Sequence, residues 1–292
     1  MAAKDYAAQG MLAGQAAGRI TVRWNTILHY LVLLALSAVI LLPLYVMVTT
    51  SFKTQVDITA SEPMWIFQPT LANYEHIMTS QRFDRFLVNS VITALWATAA
   101  TLLAGGMAAF ALARMRFPGR GLLAQTTLLV RMVPPAVLAI PIFALWMDWG
   151  IEDGRVGLVL FYTALNLPFA IWLLIGFIKQ VPVELEEAAI VDGAGPFQVF
   201  FRILFPILRP AFAVTAIFTF RIAWNEFILA LILTNRLTRT LPVATTLYIT
   251  DQGVEWGRIM AMGTLIVIPP LLLTFLAARQ IITGLTAGAV KG

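Results

Sequence analysis

Long apolar runs dominate this chain, and short polar connectors separate them. Each run is long enough to cross a lipid bilayer as a helix, which takes about 20 residues. The pattern therefore predicts an all-α, multi-pass membrane protein with six transmembrane helices. The predicted spans are residues 24–52, 86–113, 121–147, 156–178, 210–234 and 259–278. Residues 1–23 form a predicted N-terminal tail, residues 24–283 the transmembrane domain, and residues 284–292 a C-terminal tail.

The composition supports this class and excludes several others. Hydrophobic residues make up 60% of the chain, charged residues 12%, and the mean hydropathy is +0.83, whereas about 25% of a soluble domain is charged. The net charge of +5 is spread over the connectors, so we predict no nucleic-acid partner. The chain has no cysteine and no G-x-x-x-x-G-K-[ST] phosphate loop. We therefore expect no enzymatic activity and no cofactor bound by this chain.

The distribution of charge predicts the orientation of the spans. The two tails with the second and fourth connectors hold eleven Lys and Arg against five acids, and the other three connectors hold seven against nine. Short cytoplasmic loops carry the excess of basic residues in membrane proteins. Both tails and the fourth connector are therefore predicted to lie in the cytoplasm.

The fourth connector contains a segment, residues 184–206, that reads as two short helices joined by a glycine turn. Glu184, Glu186 and Glu187 place negative charge at a helix N-terminus, and Gly193 and Gly195 are suited to end that helix. Phenylalanines then recur at helical spacing after Pro196. We call this segment the knob, because it predicts a compact projection at the cytoplasmic membrane surface.

The knob also carries a recognisable spacing. Glu187-Ala188-Ala189 is followed after three residues by Gly193, and after nine more by Ile203-Leu204-Phe205-Pro206. This pattern resembles the EAA loop of permease subunits of bacterial ABC importers, with Phe205 where leucine is usual. The resemblance implies that the knob, including Glu184 and Asp192, docks on a separate ATPase subunit. ATP and magnesium would then be bound and used by that partner.

The resemblance extends over the whole chain after about residue 24. The six spans, Trp224-Asn225-Glu226-Phe227 and the terminal GLTAGAVKG are similar to the MalG branch of carbohydrate importers. It implies the type I importer permease fold in the bacterial cytoplasmic membrane. It also implies a homologous, MalF-like second permease, two ATPase subunits and an external solute-binding protein. The tail residues Gly284, Leu285, Thr286, Gly288 and Lys291 would take part in coupling.

Charged side chains within spans are costly and indicate function. The spans contain Arg131, Arg221 and Glu226. Helical spacing places Arg221, Trp224 and Asn225 on one face, and Arg131 precedes Pro134-Pro135, where a kink is expected. With Asn166 in the fourth span, these residues are a candidate path for a sugar or polyol, with Trp224 contacting the sugar. The alternative is that they only hold helices together, with Glu226 pairing with a partner subunit or lying near the external rim.

Three other interpretations of the sequence remain open. The two arginines favour an anionic sugar derivative if their guanidinium groups bind a carboxylate, sulfonate or phosphate. A stand-alone secondary transporter would require its own ion site and usually matching halves, and no such halves are visible. A membrane enzyme or receptor would need a catalytic constellation or a signalling domain, and neither is recognisable in this sequence.

Overall fold

The computed structural model describes residues 24–80, 82–151 and 154–276, and helices make up most of this part of the chain. By compactness, the chain divides between Val46 and Met47 into two units. The helix α1 (Trp24–Ser51) contains Pro43 and carries the first apolar run. The predicted tails, with Gly284, Leu285, Thr286, Gly288 and Lys291, lie outside the described residues.

The helices that follow include the predicted apolar runs and several short helices in the connectors. In chain order they are α2 (Gln55–Ile58), α3 (Ala72–Ser80), α4 (Phe83–Arg114), α5 (Arg120–Val130), α6 (Pro135–Asp148), α7 (Gly154–Ile178), α8 (Glu184–Val191), α9 (Pro196–Gln198), a π-helix (Val199–Leu204), α10 (Phe205–Ile207), α11 (Arg209–Asn225), α12 (Ile228–Leu233), α13 (Leu241–Ala244), a 3-10 helix (Thr245–Tyr248) and α14 (Trp256–Leu276). One antiparallel pair of two-residue strands, β1 (Ile249–Thr250) and β2 (Gly253–Val254), interrupts them. The sequence did not predict this pair.

Within the described residues, four helices are long and apolar enough to cross a membrane: α1, α4, α7 and α14. Two further spans are available if each of two bent helix pairs counts as one span. The pair α5 and α6 bends by 100°, and the pair formed by residues Pro196–Ile207 and by α11 bends by 83°. The helical, membrane-spanning class is thus confirmed, with four to six candidate spans.

Two of the predicted spans are broken. Between α5 and α6 the chain passes through Arg131 and Pro134, and a proline disfavours helical geometry in the residue before it. The predicted fifth span is divided at Glu226 and Phe227, where Glu226 has extended backbone angles. The helix that carries the predicted face of residues 221, 224 and 225 therefore ends at Asn225.

The centre of the second unit is the contact of α4 with α7 and α11. A Cβ atom on Gly105 would lie 3.1 Å from Ala170 Cβ, and one on Gly106 would lie 2.9 Å from the Phe212 ring. Glycine therefore permits the close approach of these helices. One buried cluster surrounds Tyr162 and Trp224, and a second surrounds Phe200 and joins the spans to the knob.

Candidate functional site

The first half of the knob is the helix α8, and a glycine ends it. Gly193 has φ +87°, a left-handed conformation that glycine adopts without strain. Its N–H donates to the carbonyl of Ile190 at 2.9 Å, and the Ala194 N–H donates to that of Ala189 at 2.9 Å. These bonds satisfy carbonyls at the helix end and reverse the chain. The predicted helix and glycine turn are therefore both present.

The second half of the knob is anchored by aromatic residues. Phe200 is buried, and its ring lies 5.7 Å from the ring of Phe110 and 6.3 Å from that of Phe212, centroid to centroid. Phe205 packs edge-on to Phe212 at 4.9 Å. The segment carrying Phe200 is a π-helix, which the helical spacing did not predict. These contacts fasten the knob to α4 and α11.

The outer surface of the knob is exposed and combines acidic and apolar side chains. Val191 is 86% exposed and Phe197 71% exposed, and Leu185 and Ile190 are also exposed. The predicted coupling residues Glu184, Glu187, Ala188, Asp192 and Gly193 are exposed as well, whereas Ala189, Ile203 and Pro206 are half-buried. Exposed apolar residues grouped with charges are typical of a protein interaction surface.

A buried ion pair connects the knob to the spans. The Arg114 Nε, at the end of α4, donates to Glu186 Oε1 at 2.7 Å. Its Nη2 donates to the carbonyl of Ile178, the last residue of α7, at 2.8 Å and to that of Val181, in the turn that follows, at 2.7 Å. The Arg114 guanidinium therefore fixes the end of α4, the end of α7 and α8 relative to one another.

The roles of Arg114 and Glu186 do not follow from the sequence. Arg114 enters only the count of basic residues in the connectors, and Glu186 is predicted only as one of three acids at a helix N-terminus. Glu186, Ile178 and Val181 lie 64 to 72 residues after Arg114 in the chain, so no local sequence pattern predicts these contacts. Helical spacing places Glu186 on the same side of α8 as Ala189 and away from Val191. It does not show which of these sides faces the spans.

The candidate path residues fall into a buried and an exposed set. Trp224 is only 1% exposed, stacks on Phe220 and donates its indole N–H to the Ile266 carbonyl at 3.0 Å. Asn166 is buried and donates to the Tyr162 carbonyl at 2.8 Å. Both side chains therefore belong to the core in this structure, and the sugar contact of Trp224 stays a prediction.

Arg131, Arg221 and Asn225 form the exposed set. Asn225 Nδ2 donates to the Arg221 carbonyl at 3.0 Å. The predicted common face of residues 221, 224 and 225 is thus split, since the Trp224 side chain turns into the core while the other two do not.

Glu226 has a role within the chain that the sequence did not predict. Its Oε1 accepts from the Leu229 N–H and its Oε2 from the Ala230 N–H, each at 3.0 Å. The Tyr162 hydroxyl also donates to Oε2 at 3.0 Å. Glu226 therefore caps α12 at the break in the predicted fifth span, and its negative charge suits the helix N-terminus.

Residues 101–286 match the family model of the binding-protein-dependent transport system inner membrane component. This range includes the knob, both broken spans and the Arg114–Glu186 pair. The chain belongs to this family. The resemblance to ABC importer permeases is thereby confirmed, and we refer to the chain below as the permease.

Curated relatives of the permease are sugar transport components. The permease is 40% identical over 86% of its length to the diacetylchitobiose uptake system permease protein DasC of Streptomyces coelicolor, covering 91% of DasC. It is 33% identical to the trehalose/maltose transport system permease protein MalG of Thermococcus litoralis, over 88% of the permease and 94% of MalG. These relatives are transport permease components and not enzymes.

A solved structure supports the fold. One chain of the crystal structure of a bacterial ABC transporter involved in the import of the acidic polysaccharide alginate superposes with a TM-score of 0.74. The match covers 87% of the permease and 95% of that chain at 18% identity. The permease therefore shares the fold of that chain.

Proposed function

We propose that the permease is one of two transmembrane subunits of an ATP-driven importer, and that its knob receives the movement of a separate ATPase subunit. The observation that carries this proposal is that the knob has an exposed outer surface and an inner surface fixed to the spans. Its outer surface exposes Val191, Phe197 and several acids, while its inner surface is fixed to the spans through Arg114 and Phe200. A part that is exposed on one side and fastened on the other is suited to transmit a displacement.

In this mechanism, ATP closes a pair of ATPase subunits and displaces the knobs docked on them. The α8 helix moves with its docked surface, and the Arg114–Glu186 pair carries the movement to the ends of α4 and α7. The aromatic contacts of Phe200 carry it to α11. Packed helices respond by rigid-body movement, so the spans rock between inward-open and outward-open states. The direction of the shift follows from ATPase contacts that differ between the two states.

The transported solute is a sugar, a polyol or a sugar derivative, delivered by an external binding protein. Support comes from the relatives, whose names refer to diacetylchitobiose and to trehalose and maltose. The second permease subunit is a MalF-like homologue in a heterodimer. The complex lies in the bacterial cytoplasmic membrane, with six spans and with both termini in the cytoplasm on the charge argument given above.

The docking surface is tested by co-purification of the ATPase with Val191→Asp. Val56 in α2 provides a matched control, because it is 79% exposed on a connector predicted to face outward. The complex is solubilised, captured through the permease and assayed for bound ATPase. We expect Val191→Asp to lower the ATPase recovered by at least about tenfold, since burying an unpaired carboxylate at an interface is strongly unfavourable.

Val56→Asp should leave ATPase recovery at the wild-type value. Equal recovery for wild type and Val191→Asp would remove the knob from the interface. Equal loss for both variants would indicate general destabilisation and would also count against the proposal.

A further inference from the structure

Two arginines from different predicted spans meet at one pair of aromatic rings. The Arg131 guanidinium carbon lies 4.7 Å from the ring centroid of Phe169, and that of Arg221 lies 5.8 Å from the centroid of Phe218. The two rings are in contact, edge to face, with centroids 5.8 Å apart. The two guanidinium groups are thus connected through this pair of contacting rings. Arg131 comes from the break after α5 and Arg221 from α11.

Neither arginine is neutralised within the described part of the permease. Arg131 and Arg221 form no ion pair and no side-chain hydrogen bond there, and both are exposed. By contrast, Arg114 and Arg258 each have a glutamate partner. An arginine facing lipid at the bilayer centre is costly, so arginines in spans face a partner protein or a water-filled cavity. Arg131 and Arg221 therefore face a space that is not lipid.

The backbone near Arg131 supports a water-filled space. The pair α5 and α6 bends by 100° across residues 131–134, and the exposed Met132 and Val133 lie in this break. Irregular backbone at membrane depth is tolerated where protein buries it or where it lines a cavity with water. The irregular backbone at this break and the charge of Arg131 therefore both favour a water-filled space at this position.

The aromatic contacts leave the binding edges of the arginines available. A guanidinium attracted to a ring through its positive charge keeps its five N–H donors, because the cation–π contact uses none of them in a hydrogen bond to oxygen. Those N–H groups match the paired oxygens of a carboxylate or sulfonate. The Asn225 side-chain oxygen accepts no hydrogen bond within the described residues, and it lies four positions from Arg221. An adjacent hydroxyl of a solute would find an acceptor there.

We propose that Arg131 and Arg221 form an oxyanion site that binds the carboxylate or sulfonate group of an anionic sugar during translocation. Phe169 and Phe218 hold the two guanidinium groups in place. This inference rests on the proposed function, because it assigns a solute class to the same importer. An acidic side chain of the second permease is the competing occupant, and the experiment separates it from a solute.

The first measurement is modification by phenylglyoxal, which reacts with accessible guanidinium groups, on the complete complex in lipid nanodiscs. Modification of Arg131 and Arg221 is measured by mass spectrometry. Nucleotide-free and vanadate-trapped complexes are compared, and each is treated in the presence of methanesulfonate or of the same concentration of chloride. We expect both arginines to react in at least one state and to be protected by methanesulfonate and not by chloride. Absence of reaction in both states, or reaction without protection, would overturn the site.

The second measurement is equilibrium binding of labelled glucuronate and glucose to the same complex. We expect Arg131→Gln and Arg221→Gln each to weaken glucuronate binding by about tenfold or more, as for a lost charged hydrogen bond. Glucose binding should not change. Arg131→Lys and Arg221→Lys retain the charge and should lose less than the Gln variants. Arg236→Gln, in the connector after α12, is the control and should bind glucuronate as wild type does.

Three results would count against the oxyanion site. The first is that the wild-type complex binds glucuronate and glucose equally. The second is that glucuronate binding is unchanged in both Gln variants. The third is that Arg131→Gln or Arg221→Gln separates the two permease subunits. The last result would assign the arginines to the partner subunit. Failure of the importer itself is seen separately, as absence of ATPase subunits from the purified wild-type complex.

Discussion

Arg114 Nε donates to Glu186 Oε1 at 2.7 Å, in a pair whose side chains are only 14% and 7% exposed. The half-buried pair Arg258 and Glu255 has side chains that are 30% and 34% exposed, and its two residues lie three positions apart in the chain. The first pair joins a membrane span to the knob, and the second lies within one turn of chain. Burial makes the loss of one partner costly only in the first case.

The two glutamates therefore allow a matched test of stability. Glu186→Gln leaves the Arg114 charge buried with two carbonyl acceptors. We expect a loss of about 3 kcal/mol, at the lower end of the range for a broken buried pair. Glu255→Gln should cost at most about 1 kcal/mol. The check is the thermal inactivation midpoint of each purified complex, and equal midpoints for the two variants would contradict the structural role of Arg114.

Two glycines should respond to alanine in opposite directions. A Cβ atom on Gly106 would lie 2.9 Å from two atoms of the Phe212 ring and 3.2 Å from Phe200, so we expect Gly106→Ala to destabilise the permease by about 1–3 kcal/mol. Gly176, in the α7 helix, has nothing within 4 Å of such an atom. Gly176→Ala should stabilise by up to about 1 kcal/mol through helix propensity. Thermal midpoints measure both, and a stabilising Gly106→Ala would refute the packing described here.

The cap on α12 gives a graded prediction. Glu226→Ala leaves the N–H groups of Leu229 and Ala230 without their acceptor, so we expect a loss of about 1–3 kcal/mol. Tyr162→Phe removes one hydrogen bond to the same carboxylate and should cost about 1 kcal/mol. Thermal midpoints should therefore fall in the order wild type, Tyr162→Phe, Glu226→Ala. The reverse order of the two variants would show that the carboxylate does not stabilise this break.

Tyr248 makes stability depend on pH in the alkaline range. Burial raises the pKa of its hydroxyl from about 10 to about 12; Arg258 acts to lower this pKa and Glu255 to raise it. The folded state therefore holds the proton more tightly than the unfolded state. The stability that this group contributes is complete below pH 10 and is lost as the pH rises through about 12.

Tyr248→Phe should reduce the loss of stability between pH 10 and 12, because the titrating hydroxyl is gone. Its effect at pH 7 should be small, since the buried hydroxyl has no hydrogen-bond partner in the described residues. Thermal midpoints recorded from pH 8 to 12 test this. Parallel pH curves for wild type and Tyr248→Phe would assign the alkaline loss to other groups.

The sequence predicted those features whose causes are local. The acids at the start of α8 and Gly193 at its end each act within a few residues. The contact of Arg114 with Glu186 and the burial of Trp224 depend on which helices become neighbours. Periodicity places Trp224 and Arg221 on one helix face, but it does not show which part of that face another helix covers.

The break at Glu226 was missed for a related reason. The apolar run continues on both sides of it, so hydropathy predicts one uninterrupted span. A carboxylate that caps the second half-helix stabilises the interruption, and the tyrosine that supports it lies 64 residues away. An acid inside an apolar run, followed by a short apolar helix, was the available signal.

The coupling role of the knob is tested most directly by solute uptake per ATP hydrolysed, in proteoliposomes containing the complete importer. Glu187→Lys reverses a charge on the exposed surface of the knob, and Gly193→Asp places a side chain at φ +87°. Glu62→Lys, on the exposed connector after α2, is the control. We predict that uptake per ATP falls by at least about tenfold in both knob variants and not in Glu62→Lys, as for the loss of a strong interface contact. Unchanged uptake per ATP in Glu187→Lys and Gly193→Asp would contradict coupling through the knob.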